Sequence, residues 1–262
     1  MAGPKLNLNK TKGIRLGTQA RHNENIHGIN LKSTPIKCLG IYIGIDSKQC
    51  NKLNWNGPIE QMELLLNTWK KRDLTIFGKI TIIKTLCLSK INHIIMNCEH
   101  EIENITYINR LFYNFLWGKR DRIKRNNLIC NIEDGGVNMV DIESHCEVLK
   151  AAWVKRIVES ENCNWSFLSK LYFKHYGSNY QILKCSFANT NSLPSLSQIP
   201  IFYQQVITAF CKSNATKRTE TRTDILNQHI WGNRHITYHD KHLKRECSIY
   251  FTHFIEKGIE RV

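Results

Sequence analysis

Read for the spacing of its apolar residues, the chain changes character near residue 55. Before that point the apolar positions fall in short β-prone runs, GIRLGT at 13–18, HGINLKS at 27–33 and IKCLGIYIGI at 36–45, parted by polar turns containing Gly or Pro. These runs predict a small antiparallel sheet, too small to stand alone. From residue 55 the spacing becomes helical. In NGPIEQMELLLNTWKKR, Asn56 or Gly57 is the expected cap, Pro58 falls in the first turn, and Met62, Leu65, Leu66 and Trp69 share a face. A second helix is expected from about Gly78, with Ile80, Ile83, Cys87, Ile91, Ile94 and Ile95 stepping by three or four along one buried stripe. Lys79 and Lys90 lie off that stripe, and Lys84 borders it. A third helix, 101–117, turns Ile105, Ile108, Phe112, Phe115 and Leu116 inward and sets Glu101 and Glu103 at the end where the helix dipole favours carboxylates. Three helices with short connections predict a bundle.

Downstream, GKRDRIKRNN at 118–127 has no apolar period and reads as an exposed loop or a short strand edge. The turn DGGVNMVD leads to Asp141, a candidate cap for the helix IESHCEVLKAAWVKRIVES. In that helix Val148, Ala152, Trp153 and Ile157 are expected inside, with Lys150, Lys155 and Arg156 facing outward or toward a partner. A helix at 165–176 precedes a Ser-, Asn- and Pro-rich loop at 177–200. Beyond it, IFYQQVITAF and CSIYFTHFIEKGI read as helices, with the turn-rich WGNRHITYHDKH between them, and no internal repeat is present. The expected class is α+β, predominantly α-helical: a small antiparallel β region at 1–54, a helical bundle at 55–130 and a helical C-terminal region at 131–262.

The 262 residues suffice for one large or two small domains with a real core. No run of 18 apolar residues occurs, which excludes a membrane-spanning helix. Ten scattered cysteines, none in a C-x-x-C pair, read as reduced thiols of an intracellular protein, so the N-x-[ST] sites at Asn9, Asn104, Asn164 and Asn214 carry little meaning. A net charge of +15 creates a field that draws polyanions, most often nucleic acid or an anionic membrane face. That charge is concentrated. Residues 67–90 hold Lys70, Lys71, Arg72, Lys79, Lys84 and Lys90 against the single carboxylate of Asp73. Cations on a helical scaffold can contact successive phosphates and give affinity without base recognition. Taken singly, each reads as solvated surface charge. The candidates are Arg72, Lys79 and the cluster Lys119, Arg120, Arg122, Lys124 and Arg125, extended by Lys150, Lys155 and Arg156.

Other chemistry finds less support. Tyr107, Phe112, Tyr113, Phe115 and Trp117 have the spacing of a helix core rather than of a base-stacking platform. His235, His239, His242, Cys247 and His253 form the one group with conceivable metal spacing, and His235 and His239 would share a face if helical. Gly232 and the polar context indicate a loop, so no metal is expected. Neither a G-x-S-x-G elbow nor a phosphate-cradling loop ending in G-K-[ST] occurs.

The ordered series LNLNKTKGIRLG, IKCLGIYIG, WKKRDLTIFGKITIIK, INRLFYNFLWGKRDRIKRNNLI, GGVNMVDI and LKAAWVKR, with DILNQHIWGNRHI near the end, resembles the downstream part of the reverse transcriptase of LINE-type (non-LTR) retrotransposons. The resemblance covers nearly the whole chain, and its specificity lies in the order. It implies that residues 1–54 are a palm remnant in which Lys10, Thr11 and Lys12 lie near the nucleic acid, a lysine there having been considered a proton donor to pyrophosphate. It implies a primer-grip-like hairpin at Leu39 and Gly40, and a thumb following the minor groove of the template–primer duplex. The lysines of residues 67–90, Lys70, Lys71, Lys79, Lys84 and Lys90, would line that duplex, and Trp69, Ile83, Phe112 and Trp153 are the expected core residues that position the cations.

Polymerases need closely placed carboxylates to hold two metal ions. No adjacent Asp-Asp pair occurs in this chain, and the family's aromatic-x-Asp-Asp motif would lie before Lys5. The endonuclease, the fingers and most of the palm would lie upstream as well. The expectation is therefore a truncated element, or a gene model begun at an internal methionine, without catalysis, cofactor or small-molecule substrate. It would bind RNA, DNA or an RNA–DNA hybrid, with the nucleus as its compartment by the family's usual target. Its orphaned palm face would expose apolar surface around Ile41 and Ile43. The alternative is a structural or interaction protein, or a remnant whose basic surface has no cognate nucleic acid.

Overall fold

Asp46 starts the helical part of the chain. Its Oδ1 accepts from the backbone N–H groups of Lys48 and Gln49 at 2.9 and 3.1 Å, and the helix α1 then runs Ser47–Lys70. An aspartate in extended conformation that satisfies orphan N–H groups is a strong N-cap. The expectation of a start at Asn56 or Gly57 is thereby corrected, and the boundary expected between 54 and 55 falls inside α1. Pro58 is an interior residue of α1, where its missing N–H and its ring cost about 3 kcal/mol. Burial of Cys50, Trp55, Ile59, Met62 and Leu66 offsets that cost.

The computed structural model describes residues 7–8, 10–14, 17, 28–29, 31–32, 34–118, 120–159, 164–174, 196–215, 221–223, 229–231, 233, 236–241, 245–249, 251, 253–254 and 257–259. They fall in two compact units, Met1–Ile142 and Glu143–Val262.

In the first unit, Thr75 caps α2 (Ile76–Ile82) by accepting from the Gly78 N–H at 3.2 Å. The helix continues through a π turn, Ile83–Cys87, into α3 (Leu88–Asn97). The stripe from Ile80 to Ile95 is buried as its spacing predicts. Next comes α4 (Ile102–Trp117), with Ile105, Ile108, Phe112, Phe115 and Leu116 all buried. Gly118 ends it at φ +83°, a conformation that glycine adopts without a Cβ clash. The basic segment expected as a loop or strand edge is a loop only as far as Lys124, because Arg125–Ile129 forms a short helix, α5, anchored by buried Leu128.

The N-terminal strands are minimal. Strand β1 (Gly13–Ile14) pairs with β2 (Leu31–Lys32) in parallel, correcting the antiparallel expectation for these two; the connection between them is long enough for the crossover that parallel pairing needs. Strands β3 (Ile36–Cys38) and β4 (Ile41–Ile43) form the expected antiparallel hairpin, with Lys37 opposite Tyr42.

Three buried polar side chains of α1 tie these pieces together. Asn54 takes the Tyr42 N–H on its Oδ1 at 2.7 Å and donates from Nδ2 to the Tyr42 carbonyl at 3.1 Å, so a side chain pairs with the hairpin edge as a neighbouring strand would. Trp55 donates its indole N–H to the Glu99 carbonyl at 2.8 Å, and Asn51 donates to the Glu101 carboxylate at 2.9 Å. Positions 51, 54 and 55 share one helix face. Together they clamp the hairpin and the α3–α4 turn onto α1.

The second unit begins with α6 (Ile142–Glu159), directly after Asp141, followed by a 3-10 turn at Asn164–Ser166 and α7 (Phe167–Lys174). A second 3-10 turn, Leu196–Gln198, leads to α8 (Ile201–Ala215). Ile157, Phe173, Ile199, Ile207 and Cys211 form the core of this unit. The loop expected at 177–200 lies outside the described residues up to 195. Residues 237–240, expected within a turn-rich stretch, and Cys247 and Ser248, expected to open a helix, are corrected to strand; the rest of the run 247–259 is described only at 249, 251, 253–254 and 257–259. Strand β5 (Thr237–Asp240) pairs antiparallel with β6 (Arg245–Ser248), placing Tyr238 opposite Cys247 and His239 opposite Glu246. The molecule is α+β and predominantly helical, with a small antiparallel hairpin near its N-terminus. Among the described residues no helix is long and apolar enough to cross a membrane.

Two predictions follow from this packing. Replacing Asn54→Ala strands the Tyr42 backbone groups and costs about 2 kcal/mol. Denaturant unfolding will read that loss, and hydrogen exchange at the Tyr42 amide will accelerate; an unaltered exchange rate would refute the clamp.

Burial pushes the thiols of Cys87 and Cys211 up to about 12. Each ionises in the unfolded chain near its ordinary value, roughly 8.5–9, and in the folded chain only near 12. Their contribution to stability is complete below that lower range and is lost as pH climbs toward 12. At pH 8, alkylation of the native protein should reach exposed Cys38 and Cys130 and spare Cys87 and Cys211 until denaturant is added.

Candidate nucleic-acid interface

The C-terminal turn of α1, the start of α2 and the end of α4 enclose a groove of about 380 Å³ lined by Lys70, Ile76, Lys79, Phe115, Leu116, Trp117, Gly118 and Arg122. Four separate segments supply it, and among the described residues no carboxylate lines it. A second groove of about 260 Å³ shares Lys70 and Phe115 and continues along α1 and α4 past Glu63, Asn67, Tyr107 and Asn114. There the Tyr107 hydroxyl donates to the Glu63 carboxylate, a bond that pushes the phenol pKa up.

Lys79 is half-buried and fixed. Its ammonium donates to the Leu116 carbonyl at 3.0 Å and lies 5.9 Å from the centre of the Phe115 ring. Leu116 sits in the last turn of α4, where carbonyls lack helical partners and the helix dipole is negative. One ammonium therefore caps α4 while keeping two donors for other acceptors. Arg72, just past α1, lies 4.4 Å over Trp69, its own N–H bonded to the Trp69 carbonyl at 3.0 Å. Lys84 is half-buried in the π turn, and Lys70 is exposed.

In the basic segment Arg120, Arg122 and Lys124 are exposed. Arg125 is committed elsewhere: its Nε donates to Asp121 at 2.9 Å, and its guanidinium stands 4.2 Å over Tyr113. Lys119 lies outside the described residues. Lys10 and Lys12 are exposed in the turn before β1, where the Lys10 N–H bonds to the Asn7 carbonyl at 3.1 Å.

Leu39 and Gly40 form the tip of the β3–β4 hairpin with φ of +48° and +89°, the two positive values of a tight hairpin turn. Leucine is strained in that conformation, and the His93 Nε2–H on α3 holds it by donating to the Leu39 carbonyl at 3.0 Å. The Leu39 side chain is 91% exposed.

Lys150, Lys155 and Arg156 belong to the second unit. Lys150 contradicts its expected outward orientation: it is 0% exposed, with its ammonium 4.0 Å from the centre of the Phe202 ring. The buried stripe of α6 runs through Cys146, Lys150, Val154 and Ile157, while Val148 and Ala152, expected inside, are exposed. An aromatic face that solvates the ammonium lets a lysine occupy a core position that its charge argued against. Lys155 and Arg156 are exposed, and Arg156 lies 5.3 Å over half-buried Trp153.

Of the four proposed positioning residues, Ile83 and Phe112 are fully buried, whereas Trp69 and Trp153 are half-buried beneath arginines. His239 sits on a strand, so the shared helix face imagined for His235 and His239 does not exist. His235 and His242 lie outside the described residues. Among the described residues no group of His, Cys, Asp or Glu has the arrangement of a metal site.

Lys70, expected among the lysines along the duplex, and Trp117, expected only in the core, line one groove. Their joint position in the groove depends on the packing of α1 against α4, which no local pattern reports. No family model matches the chain.

Replacing Lys79→Met removes the charge-assisted cap on α4 and should lower the stability of the first unit by about 1 kcal/mol. Lys79→Arg should restore most of it. Equal thermal midpoints for the wild type and Lys79→Met would show that the Leu116 contact contributes nothing.

Proposed function

We propose that the chain binds RNA, DNA or an RNA–DNA hybrid through the phosphate backbone, without catalysing a reaction of its own. The observation that carries this reading is the convergence of Lys70, Lys79 and Arg122, from separate segments, on one groove with no carboxylate among its described lining residues. Arg72, Arg120 and Lys124 add positive charge on the same unit. Contacts of this kind position a strand without reading its sequence. The resemblance to the thumb of LINE-type reverse transcriptases supports the same ligand, and suggests a non-catalytic piece of such an enzyme acting in the nucleus. In that reading the Leu39–Gly40 tip approaches a primer end, with His93 as its support. The chain's lack of an adjacent Asp-Asp pair supports a binding role rather than polymerisation.

A second reading, an interaction module, draws on Ile43 and Ile45, which are 46% and 45% exposed beside the hairpin while Ile41 is half-buried. A polymerase palm would cover such residues with further strands, and a protein partner would serve equally.

Titration with a duplex at increasing salt separates the two. Backbone binding that neutralises roughly five phosphates gives a slope of log K against log salt near −4.5. Joint replacement of Arg120, Arg122 and Lys124 by Gln should flatten that slope by about 2 to 3 and weaken all sequences alike. Arg125→Gln should do less, because its guanidinium already serves Asp121 and Tyr113. Absent or salt-independent binding would leave the interaction module as the better account.

A further inference from the structure

The groove between α1, α2 and α4 carries more positive charge than a passing strand requires. A phosphodiester brings one negative charge, whereas Lys70, Lys79 and Arg122 bring three positive ones around a space of about 380 Å³. That volume lies within the roughly 300–1,000 Å³ range of sites that enclose small ligands. Neither Asp121, drawn onto Arg125 at 2.9 Å, nor Glu63 of the adjoining groove, which accepts from Tyr107, is among the described residues that line this space. The negative end of α4, worth roughly half a charge, is already met by Lys79 through Leu116. The net surplus therefore stays positive. Held at its Nζ by the carbonyl and beside Phe115, Lys79 is preorganised and loses little freedom when an anion arrives. Among the other lining residues, half-buried Ile76 and Trp117 offer apolar surface to a base or a sugar, beside buried Phe115 and Leu116.

We propose that this groove takes a single terminal nucleotide, its phosphomonoester held between Lys70, Lys79 and Arg122 and its base or sugar resting on Ile76 and Trp117. A terminal phosphate is close to doubly charged at neutral pH and offers three acceptor oxygens. An arginine fork and two ammonium groups match it better than they match a diester. The inference rests on the nucleic-acid reading and adds the end of a strand, rather than its interior, as the preferred ligand.

The test uses the full chain and four probes at one moderate salt concentration: adenosine monophosphate alone, and a short single strand carrying a 5′-phosphate, a 3′-phosphate or no terminal phosphate. At least one phosphorylated strand should bind about tenfold more tightly than the unphosphorylated one, with quenching of tryptophan fluorescence. Which end is preferred distinguishes the two sources of the monoester. Arg122→Gln and Lys70→Gln, both at exposed positions, should abolish the preference while circular dichroism remains that of the wild type. Equal affinity for all three strands overturns the terminal site and leaves backbone binding standing. Binding of the mononucleotide without binding of any longer strand or duplex supports the site and overturns the broader reading. If none of the probes binds, the site fails.

Discussion

The first unit depends on the polar face that α1 turns inward. Helices usually bury apolar stripes, yet Asn51, Asn54 and Trp55 are all buried, and each bonds to a different part of the chain. Buried polar groups without partners are costly, so each of these side chains fixes one geometry strictly. Asn54 sets the hairpin against α1, Trp55 sets the α3–α4 turn, and Asn51 sets the residue from which α4 departs. With both ends of that arrangement defined, the far ends of α1 and α4 lie where Lys70 and Phe115 share two grooves. The basic groove is thus a consequence of contacts made at the opposite end of α1.

Within that frame the cations have unequal standing. Lys79 and Arg125 have structural duties, one capping α4 and the other holding Asp121 and Tyr113. Lys150 is part of a core. Arg120, Arg122 and Lys124 are exposed on a connection whose backbone α5 and Leu128 secure at its far side. Charge counted along the sequence treats these residues as equivalent, whereas packing sorts them into those already engaged and those turned to solvent.

Much of this architecture was legible in the residues. The stripe from Ile80 to Ile95 and the inward face of α4 follow from spacing alone, because a helix with one apolar face has one way to bury it. What spacing could not convey came from two sources. Pro58 argued for a helix start that Asp46 pre-empts, since a local penalty loses to a cap combined with extensive burial. Lys150 argued for an exposed face that Phe202 reverses, a partner far along the chain. The groove belongs to the second kind: Lys70 and Arg122 become neighbours of one cavity only through tertiary packing. The tether of His93 to Leu39 likewise joins residues with no local signature. Long-range contacts of this sort leave no periodicity to read.

The way the chain steadies its cations bears on what they can attract. Lys37 lies over Tyr42, Arg72 over Trp69, Arg110 over Tyr107, Arg125 over Tyr113 and Arg156 over Trp153. An ion pair cancels much of the field that a cation projects, as Asp121 does for Arg125. An aromatic ring has a quadrupole and no net charge, so it holds a cation through the ring face while the full charge persists at longer range. Arg72 can thus be ordered without being neutralised. A protein with net charge +15 incurs self-repulsion for every cation left uncompensated. Steadying part of that charge on aromatic faces keeps side chains in place and leaves their field available to a polyanion, the combination a phosphate-backbone surface requires.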